Sequence, residues 1–121
     1  MIRFGRKRRK DLGGVSGVIG PGIRIEGTLS FEGIIRVDGH VRGRIESEGG
    51  TVIVGDRGVI EADVRVGRAV VMGEVTGTIE ATGEIEILRS ARMTGELWSP
   101  VISIDPGARF DGNCGMRKEE A

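Results

Sequence analysis

The sequence predicts an all-β fold: a single-stranded parallel β-helix of about six turns, each of 15–19 residues. Three observations predict it. A short alternating phrase returns six times along the chain. The composition is rich in glycine and nearly free of aromatics. The positions that the alternation turns outward within the phrase are polar throughout.

The phrase is apolar-x-small-x-apolar. It reads Ile25-x-Gly27-x-Leu29, Val41-x-Gly43-x-Ile45, Ile60-x-Ala62-x-Val64, Val75-x-Gly77-x-Ile79, Met93-x-Gly95-x-Leu97 and Phe110-x-Gly112-x-Cys114. The steps between first residues are 16, 19, 15, 18 and 17. Period-two alternation means strand, with every second residue facing one way. A unit this short is one turn of a coil with three short faces, and successive turns pair as parallel strands about 4.8 Å apart. Upstream of most phrases stands a second alternating pair, such as Ile35/Val37, Val52/Val54, Ile85/Ile87 and Ile102/Ile104. The small residues are expected in an inward column, where they let the coil turn sharply without overfilling a narrow interior. Length variation is expected in corners with turn chemistry, such as Gly55-Asp56-Arg57-Gly58 and Asp105-Pro106-Gly107.

The composition agrees with a narrow core. The 121 residues include 22 glycines, no tyrosine, three phenylalanines and one tryptophan, so Val, Ile and Leu must fill the interior. The outward columns are Glu26/Arg42/Glu61/Thr76/Thr94/Asp111 and Thr28/Arg44/Asp63/Thr78/Glu96/Asn113, without one apolar member. Glu26/Arg42/Glu61 and Arg44/Asp63 would set opposite charges on neighbouring turns.

Charge is uneven although its sum is zero. Six of the 18 basic residues, Arg3, Arg6, Lys7, Arg8, Arg9 and Lys10, lie in the first ten positions. From Asp11 onward 12 basic residues face 18 acidic ones, a balance of −6. Such a body is a poor wrapper of nucleic acid, and only the tail suits an anionic partner. Met1, Ile2 and Phe4 beside the basic cluster read as a peripheral membrane anchor, because a weak apolar anchor needs a second, electrostatic signal. A nucleic-acid-binding arm and a plain solvated tail are the competing readings. No apolar run has the length of a membrane span or the make-up of a secretory signal, and the single cysteine suits a reducing compartment. The chain is therefore expected in the cytoplasm.

The ends are expected to be open. A β-helix ends in unpaired backbone groups and bare core, and repeat proteins that stay monomeric carry caps. Five residues follow Met116, and the glycines before Val18 disfavour a capping helix. Phe110 is the only aromatic in its column. It fits either a hydrophobic plug in an end-to-end contact or a filler that closes the last turn. The expected contact residues are Phe110, Ile104 and Met116 at one end and Ile19, Ile23 and Ile25 at the other.

Catalytic parts are scarce. One histidine, His40, is expected to face outward, and with one cysteine it cannot complete a zinc site. Cys114 stands in an inward column and reads as a small core residue. Glu84/Glu86 and Glu46/Glu48 read as solvated charge. Trp98 should face out, as a partner-binding patch or against an adjacent turn. No phosphate-binding loop or dinucleotide fingerprint occurs, so no cofactor is expected. An enzyme of the hexapeptide acyltransferase type, also a β-helix, is the alternative, disfavoured for want of a catalytic histidine set.

The register Ile102-x-Ile104-x-Pro-Gly-Ala108-x-Phe110-x-Gly112 after Met93-Thr-Gly-Glu-Leu97, and the opening Ile19-Gly-Pro-Gly-Ile-Arg-Ile-Glu-Gly-Thr-Leu29, resemble the bactofilins. The resemblance spans residues 18–116 and includes the basic tail. It implies a right-handed β-helix that polymerises end to end, without nucleotide, into non-polar filaments. It also implies a bacterial cytoskeletal scaffold on the inner membrane face that localises cell-wall enzymes or cell-shape factors. Phe110 matches a phenylalanine that contributes to the polymer contact in that family. The expected organisation is a disordered basic tail over 1–17, a polymerisation domain over 18–116 and a short tail over 117–121. So short a C-terminal tail makes recruitment through it doubtful.

Overall fold

The computed structural model describes residues 17–115 and the backbone of residues 2–4. The strands are β1 (Ile2–Phe4), β2 (Gly17–Ile19), β3 (Arg24–Phe31), β4 (Ile34–Val37), β5 (His40–Glu46) and β6 (Thr51–Val54). They continue with β7 (Val59–Val71), β8 (Glu74–Ile87), β9 (Arg92–Trp98), β10 (Ile102–Ile104) and β11 (Arg109–Gly115). Neighbouring strands pair in parallel, and the chain winds into a β-solenoid of about six turns. Among the described residues there is no helix.

The sixfold phrase sets the register. Ile25, Val41, Ile60, Val75, Met93 and Phe110 are partners in successive turns. Leu29, Ile45, Val64, Ile79, Leu97 and Cys114 follow suit. A third face stacks Ile19, Val37, Val54, Val71, Ile87 and Ile104. Inside the stack these columns are buried and form one continuous apolar core. A one-residue slip would turn each column inside out, so burial itself enforces the pairing.

Unequal turn lengths are absorbed at the corners, as the turn chemistry suggests. Gly20–Ile23, Gly55–Gly58, Leu88–Ala91 and Asp105–Ala108 are four-residue turns, each closed by an N–H donated back to the first carbonyl at 2.8–3.2 Å. The corners around Gly39 and Gly73 are two residues shorter. A further register shift falls between Val66 and Arg68, where Gly67 accommodates an irregularity.

The small column differs from expectation. Its glycines do not spare interior volume; Gly43 is exposed and Gly95 half-exposed. They bend the strand, with φ of 125° and 133° respectively. A Cβ at Gly43 would strike the Gly27 carbonyl, and one at Gly95 that of Gly77. From Gly43 on, the column's glycines therefore combine left-handed backbone with close approach to the preceding turn, whereas Ala62 is buried in the core as the small inward residue that the alternation predicts. Alternation of residue types does not distinguish these demands from a narrow interior.

Outward charges are arranged partly as expected. Arg42 Nε lies 3.3 Å from Glu61 and its Nη1 3.8 Å from Glu26, spanning three turns. Arg44 instead turns to Glu46 on its own strand at 3.3 Å, although Asp63 is its neighbour in register. These side chains are more than a third exposed, where ion pairs contribute little. Arg42→Ala is expected to lower stability by no more than about 1 kcal/mol; a larger loss in a denaturant melt would give the ladder a structural role.

Candidate assembly ends

Each inward column is sealed by the turns above and below it, and the last turn has no described turn beyond it. Met93 is 1% exposed, whereas Phe110, its partner in the final turn, is half-buried and packs on the core. Leu97 is fully buried, whereas Cys114 beneath it is exposed. Cys114 is therefore not a core residue: its column position is the expected one, but nothing described covers it. Ile104 is 41% exposed below the fully buried Ile87, and Val101 is 53% exposed.

The backbone repeats the pattern. Arg109 donates to the Ala91 carbonyl at 3.0 Å, as Arg92 does to Gly73 one turn earlier. The equivalent carbonyl of Ala108 has no described turn to serve. An edge of apolar side chains and unserved backbone groups is a template for another strand.

At the other end the expected residues separate. Ile23 is 48% exposed and Ile25 half-buried, but Ile19 is 2% exposed and offers no free surface. Ile23 holds the position taken by small residues later in the chain. Gly39 is its successor, and a Cβ there would collide with the Ile23 carbonyl; the first corner has no described turn pressing on it. Val18, 58% exposed, lies beside Ile19 and was not singled out from the sequence, nor was Val101. Both are apolar residues that alternation turns outward beside an inward pair, and that mismatch was the available signal.

The N-terminal end is not bare all round. β1 pairs with β3 along Leu29–Phe31, a departure from the expectation of two uncapped ends. Ile2, Arg3 and Phe4 thus form strand backbone, while Met1, Arg6, Lys7, Arg8, Arg9, Lys10 and Met116 lie outside the described residues.

Trp98 is half-buried. Its Nε1–H donates to Glu96 at 3.1 Å, and its ring covers Gly115 of the next turn, the second of the two readings open for it. His40 faces out, with Nε2 3.4 Å from Glu61 and no aligned hydrogen bond. Among the described residues no group of three or more His, Cys, Asp or Glu side chains could hold a metal ion. No helix among them is long and apolar enough to cross a membrane.

Comparison with known proteins identifies the family. Residues 17–115 match the bactofilin family, described as polymer-forming cytoskeletal. Bactofilin BacP of Myxococcus xanthus (strain DK1622) is 41% identical over 102 residues, covering 82% of this chain and 41% of BacP. The chain thus spans about two fifths of that relative's length. Bactofilin BacO of the same organism is 35% identical over 103 residues, covering 85% of this chain and 81% of BacO. No solved structure matches significantly. The family is structural rather than enzymatic, which sets the acyltransferase alternative aside. A six-turn parallel solenoid with an apolar terminal edge, matched along its whole length, belongs to the bactofilins, the polymer-forming cytoskeletal proteins.

Proposed function

We propose that this bactofilin stacks end to end into non-polar filaments without nucleotide and that its N-terminal tail holds them against the inner face of the bacterial membrane. There the filament scaffolds cell-wall enzymes or cell-shape factors. The observation that carries the stacking is the change of exposure within single columns at the last turn: the buried Met93, Leu97 and Ile87 are succeeded by the half-covered Phe110 and the exposed Cys114 and Ile104. Contact with a second end restores the neighbours each column lacks, and apolar burial near 25 cal/mol per Å² favours it. Each end meets its like in a non-polar filament, so the contacts are isologous and the same patch serves both subunits.

Electron microscopy of the purified chain without nucleotide tests the assembly. Filaments are the expected result, and monomers at all concentrations would remove the reading.

The membrane tether rests on Met1, Ile2, Phe4 and the cluster Arg3, Arg6, Lys7, Arg8, Arg9 and Lys10. Each cation near an anionic leaflet contributes about 1 kcal/mol, and repetition along a filament multiplies a marginal anchor. Replacing Ile2 and Phe4 by Ser should reduce co-sedimentation with anionic vesicles about tenfold or more. Unchanged pelleting would leave only the basic cluster as the lipid contact.

A further inference from the structure

The N-terminal strand does something that an anchor does not require. β1 lies parallel to β3, with Ile2 beside Leu29, Arg3 beside Ser30 and Phe4 beside Phe31. Leu29 and Phe31 are 0% and 4% exposed although they belong to the first complete turn. Ile25, on the same strand but beyond the reach of β1, is half-buried, and Ile23 is open. The alternation Ile2-x-Phe4 repeats that of Leu29-x-Phe31 beneath it. One stretch of the N-terminal edge, which a stacking neighbour would need, is thus already paired.

We propose that the Leu29–Phe31 edge is a strand-acceptor site whose resident occupant is the chain's own Ile2–Phe4, and that this occupancy competes with a second copy for the N-terminal end, raising the concentration needed to stack until lipid removes the strand. The proposal rests on the stacking and anchoring reading above. Its physical content is exclusion: residues 2–4 cannot lie in a lipid leaflet and pair with β3 at once. Strand addition to an exposed edge gains its affinity from main-chain hydrogen bonds and its selectivity from alternate side chains. Three residues supply few of either, so the occupant is displaceable.

The tether is long enough for the exchange. Residues 5–16 join β1 to β2, and twelve residues extend to about 40 Å at most. β1 can therefore leave for a surface while β2 stays in the solenoid. Lipid binds only the released form, which raises the population competent to stack. By linkage, stacking at that end tightens lipid binding by the same factor. The C-terminal end has no such occupant among the described residues, so pairing begins there, and the N-terminal end is the controlled step.

The test compares assembly thresholds, measured by pelleting without lipid, for the full chain and its Ile2→Ser/Phe4→Ser variant. The variant should assemble at a concentration lower by about fivefold or more, because the competent fraction no longer limits it. Equal thresholds would overturn the proposal. A synthetic peptide of residues 1–10 should raise the variant's threshold again, and a peptide without effect would count against the acceptor site. Anionic vesicles should lower the threshold of the wild type and leave that of the variant unchanged. Stimulation of both alike would show that lipid acts elsewhere than on β1. If vesicles fail to bind the wild type, the anchoring reading falls, whereas the lipid-free comparison still judges the competition for the N-terminal end. Absence of polymer in every arm removes the stacking reading itself.

Discussion

Phe110→Arg is expected to leave a folded solenoid that no longer forms filaments. Phe110 is half-buried against the core in the last turn, so its removal costs the fold a fraction of a full aromatic burial. Within an end-to-end contact the cost is larger. A guanidinium there is desolvated without a partner, and two copies meet across an isologous interface. An uncompensated buried charge costs about 3–5 kcal/mol, which lowers affinity by two to three orders of magnitude or more. Circular dichroism should still report β structure while micrographs show monomers or short oligomers. Cys114, exposed on the same edge, supplies an independent readout. Its thiol should react rapidly with maleimide in the variant and slowly in wild-type filaments. Filaments in both proteins, with equal labelling, would exclude the C-terminal turn as a decisive contact.

The second large effect is on folding. Gly95→Val should destabilise the solenoid by about 3–5 kcal/mol, since strain in left-handed backbone and overpacking each cost about 1–3 kcal/mol. At φ 133° a β-branched residue is strained, and its Cβ would collide with the Gly77 carbonyl and lie 2.8 Å from the Gly77 carbonyl carbon. Those neighbours are backbone within a paired strand and cannot swing aside. For a chain of this size the loss corresponds to a fall in Tm of roughly 10–20 °C. The melt belongs in a Phe110→Arg background, because association would otherwise add to apparent stability. Ala62→Gly is the control. Ala62 is the column member that carries a Cβ, and removing it should cost only about 0.5–1 kcal/mol. A Gly95→Val melt as mild as that of Ala62→Gly would deny the column its close approach.

Much of the fold was legible because a solenoid is locally repetitive. Burial imposes period two on every strand, and pairing each turn on the last imposes the register, so the six phrases align in the structure as they align in the chain. The resemblance to the bactofilins drew on the same phrases, and the family match spans them. Legibility ended where a position's meaning depends on what lies above or below it. Cys114 and Leu97 share a column, and only the described turn missing beneath Cys114 separates an exposed thiol from a buried leucine. Gly43 looked like an inward space-saver because alternation cannot reveal a positive φ. Ile19 and Ile23 looked alike as end residues, yet one is covered and the other open.

The alternation of Val, Ile and Leu with polar residues was enough to define turn number, register and the columns of the core, because those properties repeat within 15–19 residues. The pairing of Ile2–Phe4 with Leu29–Phe31, and the contrast it creates between the two ends, depended on the tertiary structure. Edge pairing joins segments about 27 residues apart through backbone groups that every residue carries, and no local pattern of side chains records which distant strand those groups will meet.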